Sequence, residues 1–289
     1  MIFNKVITEE DGKEFRAYVA RPPAGQGPGI VLLHEVYGVN DSLKATADKL
    51  AAEGFVVYCP NLYWRDDQNA SFRPQSPGEE MTEDLKFQRE RARELMFEKL
   101  DHSKIPDDVE AAVKAVRNDP DCTGKVGCMG SCLGGKGVYL ATAKNIVDAG
   151  VAFYPTPELR DVFSSSDALA SNTPLLFVLG GSDPYISPEE KQKMRGVSGK
   201  VIDYVEGLPF PEVRSNDDGN KNITTHYFPA SGHAFARVGG KDYDEAVANY
   251  VTDVSVSFFN KHLGDGNKPV DEPELRTPES PKYLPKSKK

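Results

Sequence analysis

Short apolar blocks recur along this chain, separated by longer stretches in which apolar and polar residues mix with helical spacing. Blocks at 29–34, 55–59, 126–129, 149–153, 175–179, 201–205 and 224–228 are mostly continuous rather than alternating. Runs of that length are expected of strands buried on both faces. An earlier block, 13–20, alternates and reads as an edge strand. Between the blocks the pattern predicts helices over 43–53, 82–100, 106–118, 135–143, 188–195 and 243–262. Strands alternating with helices predict an α/β fold: a mostly parallel central sheet of about eight strands with helices on both faces.

No repeat period and no Gly/Ser/Pro linker divides the chain, so the expected organisation is a single domain over 1–263. Residues 206–222 (EGLPFPEVRSNDDGNKN) are polar and turn-rich and read as an inserted surface loop. Residues 264–289 are rich in Pro and Lys and read as a polar tail. The densely charged stretch 66–100 reads as a helical excursion over the sheet edge.

Charge narrows the function classes. With 35 Lys plus Arg against 44 Asp plus Glu, the 289 residues carry a net charge of −9. Such a chain lacks the basic footprint of a nucleic-acid binder and the polybasic surface that anionic membranes attract. No run approaches the ~18 apolar residues of a membrane span, and the first residues lack the apolar core of a secretory leader. The four cysteines, Cys59, Cys122, Cys128 and Cys132, are too few for a disulfide framework. These features point to a reducing, cytoplasmic setting. The histidines His34, His102, His226 and His262 lack zinc spacing, so no metal is expected.

The most specific stretch is Gly130-Ser131-Cys132-Leu133-Gly134-Gly135, between an apolar segment and a helix-compatible one. Glycine-x-nucleophile-x-glycine between strand and helix is the pattern of a nucleophile elbow, here with cysteine at the apex. A thiol needs a base, and the base needs an orienting group. The block 175–179 runs into Gly180-Gly181-Ser182-Asp183, and the block 224–228 into Pro229-Ala230-Ser231-Gly232-His233. Both groups then stand at carboxyl ends of strands, where α/β sheets meet their ligands. Alone, each residue has an ordinary explanation: glycines for helix packing at Cys132, a turn or cap at Asp183, a solvent-facing loop at His233. Together, the chain order Cys132, Asp183, His233 is the nucleophile–acid–base order of α/β-hydrolases. A redox pair of Cys128 with Cys132 is disfavoured, because the extended chain between them spans up to ~13 Å and a disulfide needs ~7 Å or less.

Three stretches together resemble the dienelactone hydrolase family, the carboxymethylenebutenolidases of the α/β-hydrolase superfamily. They are Gly130–Gly135, Gly232-His233-Ala234-Phe235-Ala236-Arg237, and His34-Glu35-Val36-Tyr37-Gly38-Val39-Asn40. The likeness covers roughly residues 2–263. It implies a hydrolase acting on a carboxylic ester or lactone, with Cys132 as nucleophile, His233 as base and Asp183 as its orienter. It further implies that Glu35 sits against the resting Cys132 thiol and helps to generate the thiolate. The oxyanion hole would use the backbone N–H groups of Leu133 and Val36, and Arg237 would bind a substrate carboxylate. The family's second arginine comes from a preceding helix. Here Arg89, Arg91 and Arg93 alternate with Glu90 and Glu94, and the register is open, with Arg89 and Arg91 the candidates and Phe97 at the position of a pocket aromatic. Ala234 stands where the family commonly has serine. The implied chemistry needs neither cofactor nor metal, and its partner is a small ester or lactone, with or without a carboxylate, met by a monomer or small homo-oligomer. A broader carboxylesterase or thioesterase on the same triad is the alternative within enzymes, and a non-catalytic binding protein the alternative outside them.

Overall fold

A computed structural model describes residues 4–8, 11–156, 171–198, 200–203, 212–217 and 222–264. Ten strands form one sheet among the described residues: β1 (Lys5–Thr8), β2 (Glu14–Ala20), β3 (Gly27–Leu33), β4 (Val56–Pro60), β5 (Cys122–Ser131), β6 (Ala149–Phe153), β7 (Leu175–Gly180), β8 (Lys200–Asp203), β9 (Glu212–Asp217) and β10 (Asn222–Phe228). Their order is β1-β2-β4-β3-β5-β6-β7-β10-β9-β8. From β4 to β10 every neighbour is parallel, and both ends of the sheet are antiparallel. The parallel strands are the continuous apolar runs; β4, β6 and β7 are buried at every position. That is the physical basis on which their sequence reads as strand without alternation.

Helices cover the sheet: α1 (Asp41–Ala52), α2 (Glu83–Glu94), α3 (Ile105–Arg117), α4 (Leu133–Ala143), α5 (Pro188–Val197) and α6 (Glu245–Leu263). Two glycines show that both faces are covered. A Cβ on Gly29 of β3 would stand 2.3 Å from Val116 of α3, whereas one on Gly127 of β5 would stand 2.6 Å from Phe259 of α6. Gly127 lies level with Ile30, the residue after Gly29, so the two glycines face opposite sides of the sheet.

Four expectations need correction. The block 13–20 forms β2, which is not an edge strand, because the short β1 pairs along its outer side. Among the described residues the sheet has ten strands rather than about eight, the extra ones being β1 and β9. β9 lies within the stretch expected to be an inserted loop, and it is held by Glu212, whose carboxylate receives Arg195 at 2.6 Å, and by Val213, its buried apolar residue. One such apolar position gives no periodic signal. The rest of 206–222 and the tail from 265 lie outside the described residues. The predicted helix 82–100 is α2 followed by a single π-helical turn, Leu95–Lys99.

Candidate active site

The elbow forms where β5 turns abruptly into α4. Cys132 caps the helix with φ 55° and ψ −118°, a conformation that costs a non-glycine residue on the order of 1–3 kcal/mol and persists only when its surroundings enforce it. Here backbone bonds enforce it. The Cys132 N–H donates to the Phe153 carbonyl at 3.0 Å, and the Cys132 carbonyl accepts from Lys136 and Thr156 at 3.1 Å. The flanking glycines allow the close approach this turn needs. A Cβ on Gly130 would stand 2.6 Å from the Gly134 backbone, and one on Gly134 would stand 2.4 Å from the Leu33 carbonyl oxygen. The Cys132 side chain is buried, with Sγ 3.2 Å from the Thr156 hydroxyl.

Asp183 and His233 converge because the loops after β7 and β10 continue to pair beyond the strand ends. Gly181 N–H donates to Phe228 and Ser182 N–H to Ser231, at 2.8 and 3.0 Å. The Asp183 carboxylate is buried, accepting from the Tyr185 N–H at 2.8 Å through Oδ1 and meeting His233 Nδ1 at 2.8 Å through Oδ2. Lys191 of α5 fixes the loop itself, donating to the Gly181 and Asp183 carbonyls at 2.8 and 2.7 Å. Tyr154 and Tyr185 hold the imidazole edge-on, with ring centroids 5.0 and 4.8 Å away.

Burial opposes a charge on His233, but hydrogen bonds to Asp183 and Cys132 outweigh it and raise its pKa to about 10. The imidazole therefore interacts with both the carboxylate and the thiol. With Nδ1 on Asp183, the other nitrogen is the one left for sulfur.

The family resemblance implies that Glu35 sits against the Cys132 thiol; its hydrogen bonds go to Arg237 and Tyr154. Its carboxylate accepts from Arg237 Nε on one oxygen and from the Tyr154 hydroxyl, at 3.2 Å, on the other. Among the described residues the Cys132 thiol has Thr156 and His233 as partners and no hydrogen bond to Glu35. Arg237 in turn is committed to Glu35, with its guanidinium 5.2 Å from the Tyr37 ring. Burial works against the charge on Arg237, but Glu35 more than compensates and raises its pKa. Burial likewise raises Tyr154 well above the usual phenol range, so it remains a donor to Glu35. A cavity of about 60 Å³ borders Glu35, Tyr154, Arg237 and Ser131.

Arg89, Arg91 and Phe97 are not brought to this group. Arg91 pairs with Glu94 one turn along α2 at 2.8 Å, and Phe97, half-exposed, lies under Arg93 at 5.1 Å. Arg91 and Phe97 line a separate hollow of about 610 Å³ that contains none of Cys132, Asp183, His233, Glu35 or Arg237. Arg89 is exposed on the same helix. The backbone N–H groups of Leu133 and Val36 have no internal partner among the described residues. In the same residues no group of three or more His, Cys, Asp or Glu is placed to hold a metal, and no helix is long and apolar enough to cross a membrane.

Sequence reasoning missed Tyr154, Thr156, Tyr185 and Lys191. The first two follow the apolar block 149–153, and the strand-end rule that identified Asp183 and His233 applies equally there.

Comparison with known proteins agrees with this architecture. The chain is 29% identical over 253 residues to a carboxymethylenebutenolidase of Pseudomonas putida, covering 88% of this chain and 94% of that protein. It is 28% identical over 240 residues to carboxymethylenebutenolidase 1 of Cupriavidus pinatubonensis, covering 83% and 88%. Similar solved structures include a dienelactone hydrolase-like promiscuous phosphotriesterase from metagenomic libraries, with TM-score 0.63 and 18% identity over 90% of this chain and 98% of that one. A dienelactone hydrolase of Anabaena variabilis matches with TM-score 0.56 and 14% identity, covering 90% and 97%. The sequence profile of the dienelactone hydrolase family itself matches residues 15–204, a span that takes in the elbow and Asp183. With that match over most of its length, the chain belongs to the dienelactone hydrolase family.

Proposed function

We propose that this protein hydrolyses an activated ester or lactone through an acyl-enzyme on Cys132. The observation that carries this reading is the buried Asp183 carboxylate holding His233 Nδ1 at 2.8 Å, with the Cys132 thiol among the groups that raise the His233 pKa. Cys132 gives its thiol proton to His233, and Sγ attacks the carbonyl carbon to form a C–S bond while the carbonyl electron pair moves onto oxygen. The Leu133 and Val36 N–H groups receive that oxyanion; a single such donor is typically worth about 3–4 kcal/mol at the transition state. Collapse re-forms the carbonyl and breaks the C–O bond, and His233 gives its proton to the leaving oxygen. Water then loses a proton to His233 and attacks the thioester. The C–S bond breaks, the acid departs, and His233 and Cys132 return to their starting state.

The substrate class is a small ester or lactone, as the names of the carboxymethylenebutenolidase relatives suggest. Arg237 is the anchor for a carboxylate-bearing lactone, through guanidinium N–H groups other than the Nε held by Glu35. A broader carboxylesterase on the same triad is the second reading, favoured by the neutralisation of Arg237 by Glu35, which leaves the pair without net charge. A panel of dienelactones, neutral lactones and p-nitrophenyl esters separates the two readings by which class gives the highest kcat/KM. In the same panel, His233→Ala is expected to abolish turnover while the circular dichroism spectrum is unchanged. Unchanged hydrolysis in that variant would move the active site elsewhere.

A further inference from the structure

We propose that His34 is a positioning residue for the oxyanion hole, aiming the Val36 N–H at the reacting carbonyl from beneath the loop. The inference rests on the acyl-enzyme reading above. His34 is the first residue after β3, directly preceding Glu35 and Val36, and it is fully buried. Its Nδ1 lies 2.6 Å from the Glu35 carbonyl oxygen, and its Nε2 lies 3.0 Å from the Leu62 N–H.

The partners fix the tautomer. A backbone N–H can only donate, so Nε2 is the acceptor, and the single proton of a neutral ring sits on Nδ1 and is donated to the Glu35 carbonyl. Protonation would set a second ring N–H against the Leu62 N–H. Burial opposes that charge and lowers the His34 pKa to about 4.

The consequence for Val36 is geometric. The Glu35 carbonyl and the Val36 N–H belong to one planar trans peptide unit and point in opposite directions. Holding the carbonyl toward His34 therefore turns the N–H away from it, and among the described residues no internal partner takes that N–H. Tyr63 secures the next peptide in the same way: its hydroxyl donates to the Val36 carbonyl at 3.0 Å, and its ring packs 4.7 Å from the His34 ring. Both carbonyls flanking the Val36 N–H are thus anchored from below.

The opposite wall of the hole is in contact with the same strand end. A Cβ on Gly134 would stand 2.4 Å from the Leu33 oxygen and 3.0 Å from the His34 oxygen, so the first turn of α4, with the Leu133 N–H, lies directly against this segment. A shift of the loop after β3 would separate the two donors without touching Cys132, Asp183 or His233. His34 and Tyr63 bind no reacting atom; they act through the Val36 backbone.

The experiment compares two reactions of the same thiol in His34→Phe, His34→Gln and Tyr63→Phe. Ester hydrolysis passes through an oxyanion, whereas alkylation by iodoacetamide does not. Because loss of one oxyanion donor costs about 100- to 1,000-fold in kcat, a misaimed donor in His34→Phe is expected to lower kcat for a p-nitrophenyl ester by about 10- to 100-fold. KM and the Cys132 alkylation rate stay within about twofold of wild type. His34→Gln, which retains an amide donor and a carbonyl acceptor, recovers part of kcat, and Tyr63→Phe loses less than His34→Phe. Equal losses in hydrolysis and alkylation, or an unchanged kcat in both His34 variants, would overturn the proposal. Should His34→Phe fail to fold, Tyr63→Phe decides the matter by the same split, since it removes one hydroxyl and keeps the ring. If instead Cys132→Ala retains hydrolysis, the acyl-enzyme reading fails, whatever the His34 variants do.

Discussion

The elbow at the end of β5 and the charged segment from α2 through the following π turn both offer reactive or binding side chains, and they fare differently. Cys132, Asp183 and His233 are carried by loops whose starting points are fixed by the sheet. β5 pairs with β6, β6 with β7, and β7 with β10, all parallel, so the three loops leave the same carboxyl end of the sheet within a run of four neighbouring strands. Arg89, Arg91 and Phe97 ride on a helix anchored by few buried residues, Leu85 and Ala92 within α2 and Leu95 and Met96 in the next turn. The charges there satisfy each other, as in the Arg91–Glu94 pair. Position along a buried parallel strand determines where a loop residue goes; position on a charged surface helix does not.

The largest expected contrast is between Cys132→Ala and any substitution on α2. On the proposed acyl-enzyme mechanism Cys132 is the nucleophile of a triad, whose removal costs on the order of 10⁶-fold in kcat, so Cys132→Ala should lose at least about 10⁴-fold against a p-nitrophenyl ester in steady-state assays. Residual activity within about tenfold of wild type would break the contrast.

Arg237→Ala is the next in size. It leaves the Glu35 carboxylate without its cation in a site where both side chains are mostly shielded. Breaking such a pair is expected to cost about 3 kcal/mol in urea unfolding. In kinetics, kcat/KM for carboxylate-bearing lactones should fall about 10- to 100-fold, with neutral esters changing by less than about threefold. Equal losses on both classes would remove the anchoring role.

Stability should peak near neutral pH. His233 has its pKa raised to about 10, so its contribution is complete below the unfolded value of about 6.5 and is lost as pH rises toward 10. His34 and His226 are buried neutral, with pKa lowered to about 4, so folding resists their protonation and stability falls as pH drops from about 6.5 toward 4. Urea midpoints across pH 4–10 test this, and His233→Gln should flatten the alkaline side while leaving the acid side unchanged. The smallest effect belongs to Arg91→Ala, expected to change kcat/KM by no more than about twofold, because its partner is an exposed surface charge. A tenfold loss there would return α2 to the substrate pocket.

What was legible in the sequence follows the same division. The parallel strands announce themselves as apolar runs, and the strand-end rule then picks out Cys132, Asp183 and His233. β1 and β9 were not legible, since β1 is short and mostly exposed and β9 has Val213 as its single buried apolar residue. The family motif identified Glu35 and Arg237, but not that they would pair. That depends on Tyr154, which reaches Glu35 from the end of β6, 119 residues away in the chain. The thiol's neighbour, Thr156, comes from the same strand end and was invisible to a search for charged or nucleophilic groups.

The most direct test of the proposed activation of Cys132 is competition between cysteines in the native protein. Cys132 is nearly buried and Cys122 is partly exposed, so access alone favours labelling of Cys122. Limiting iodoacetamide at pH 7, followed by peptide mapping, is expected to label Cys132 first and to abolish esterase activity in proportion, with the preference lost in His233→Ala. Labelling of Cys122 at the same rate or faster, or full esterase activity in protein stoichiometrically alkylated at Cys132, would contradict the account.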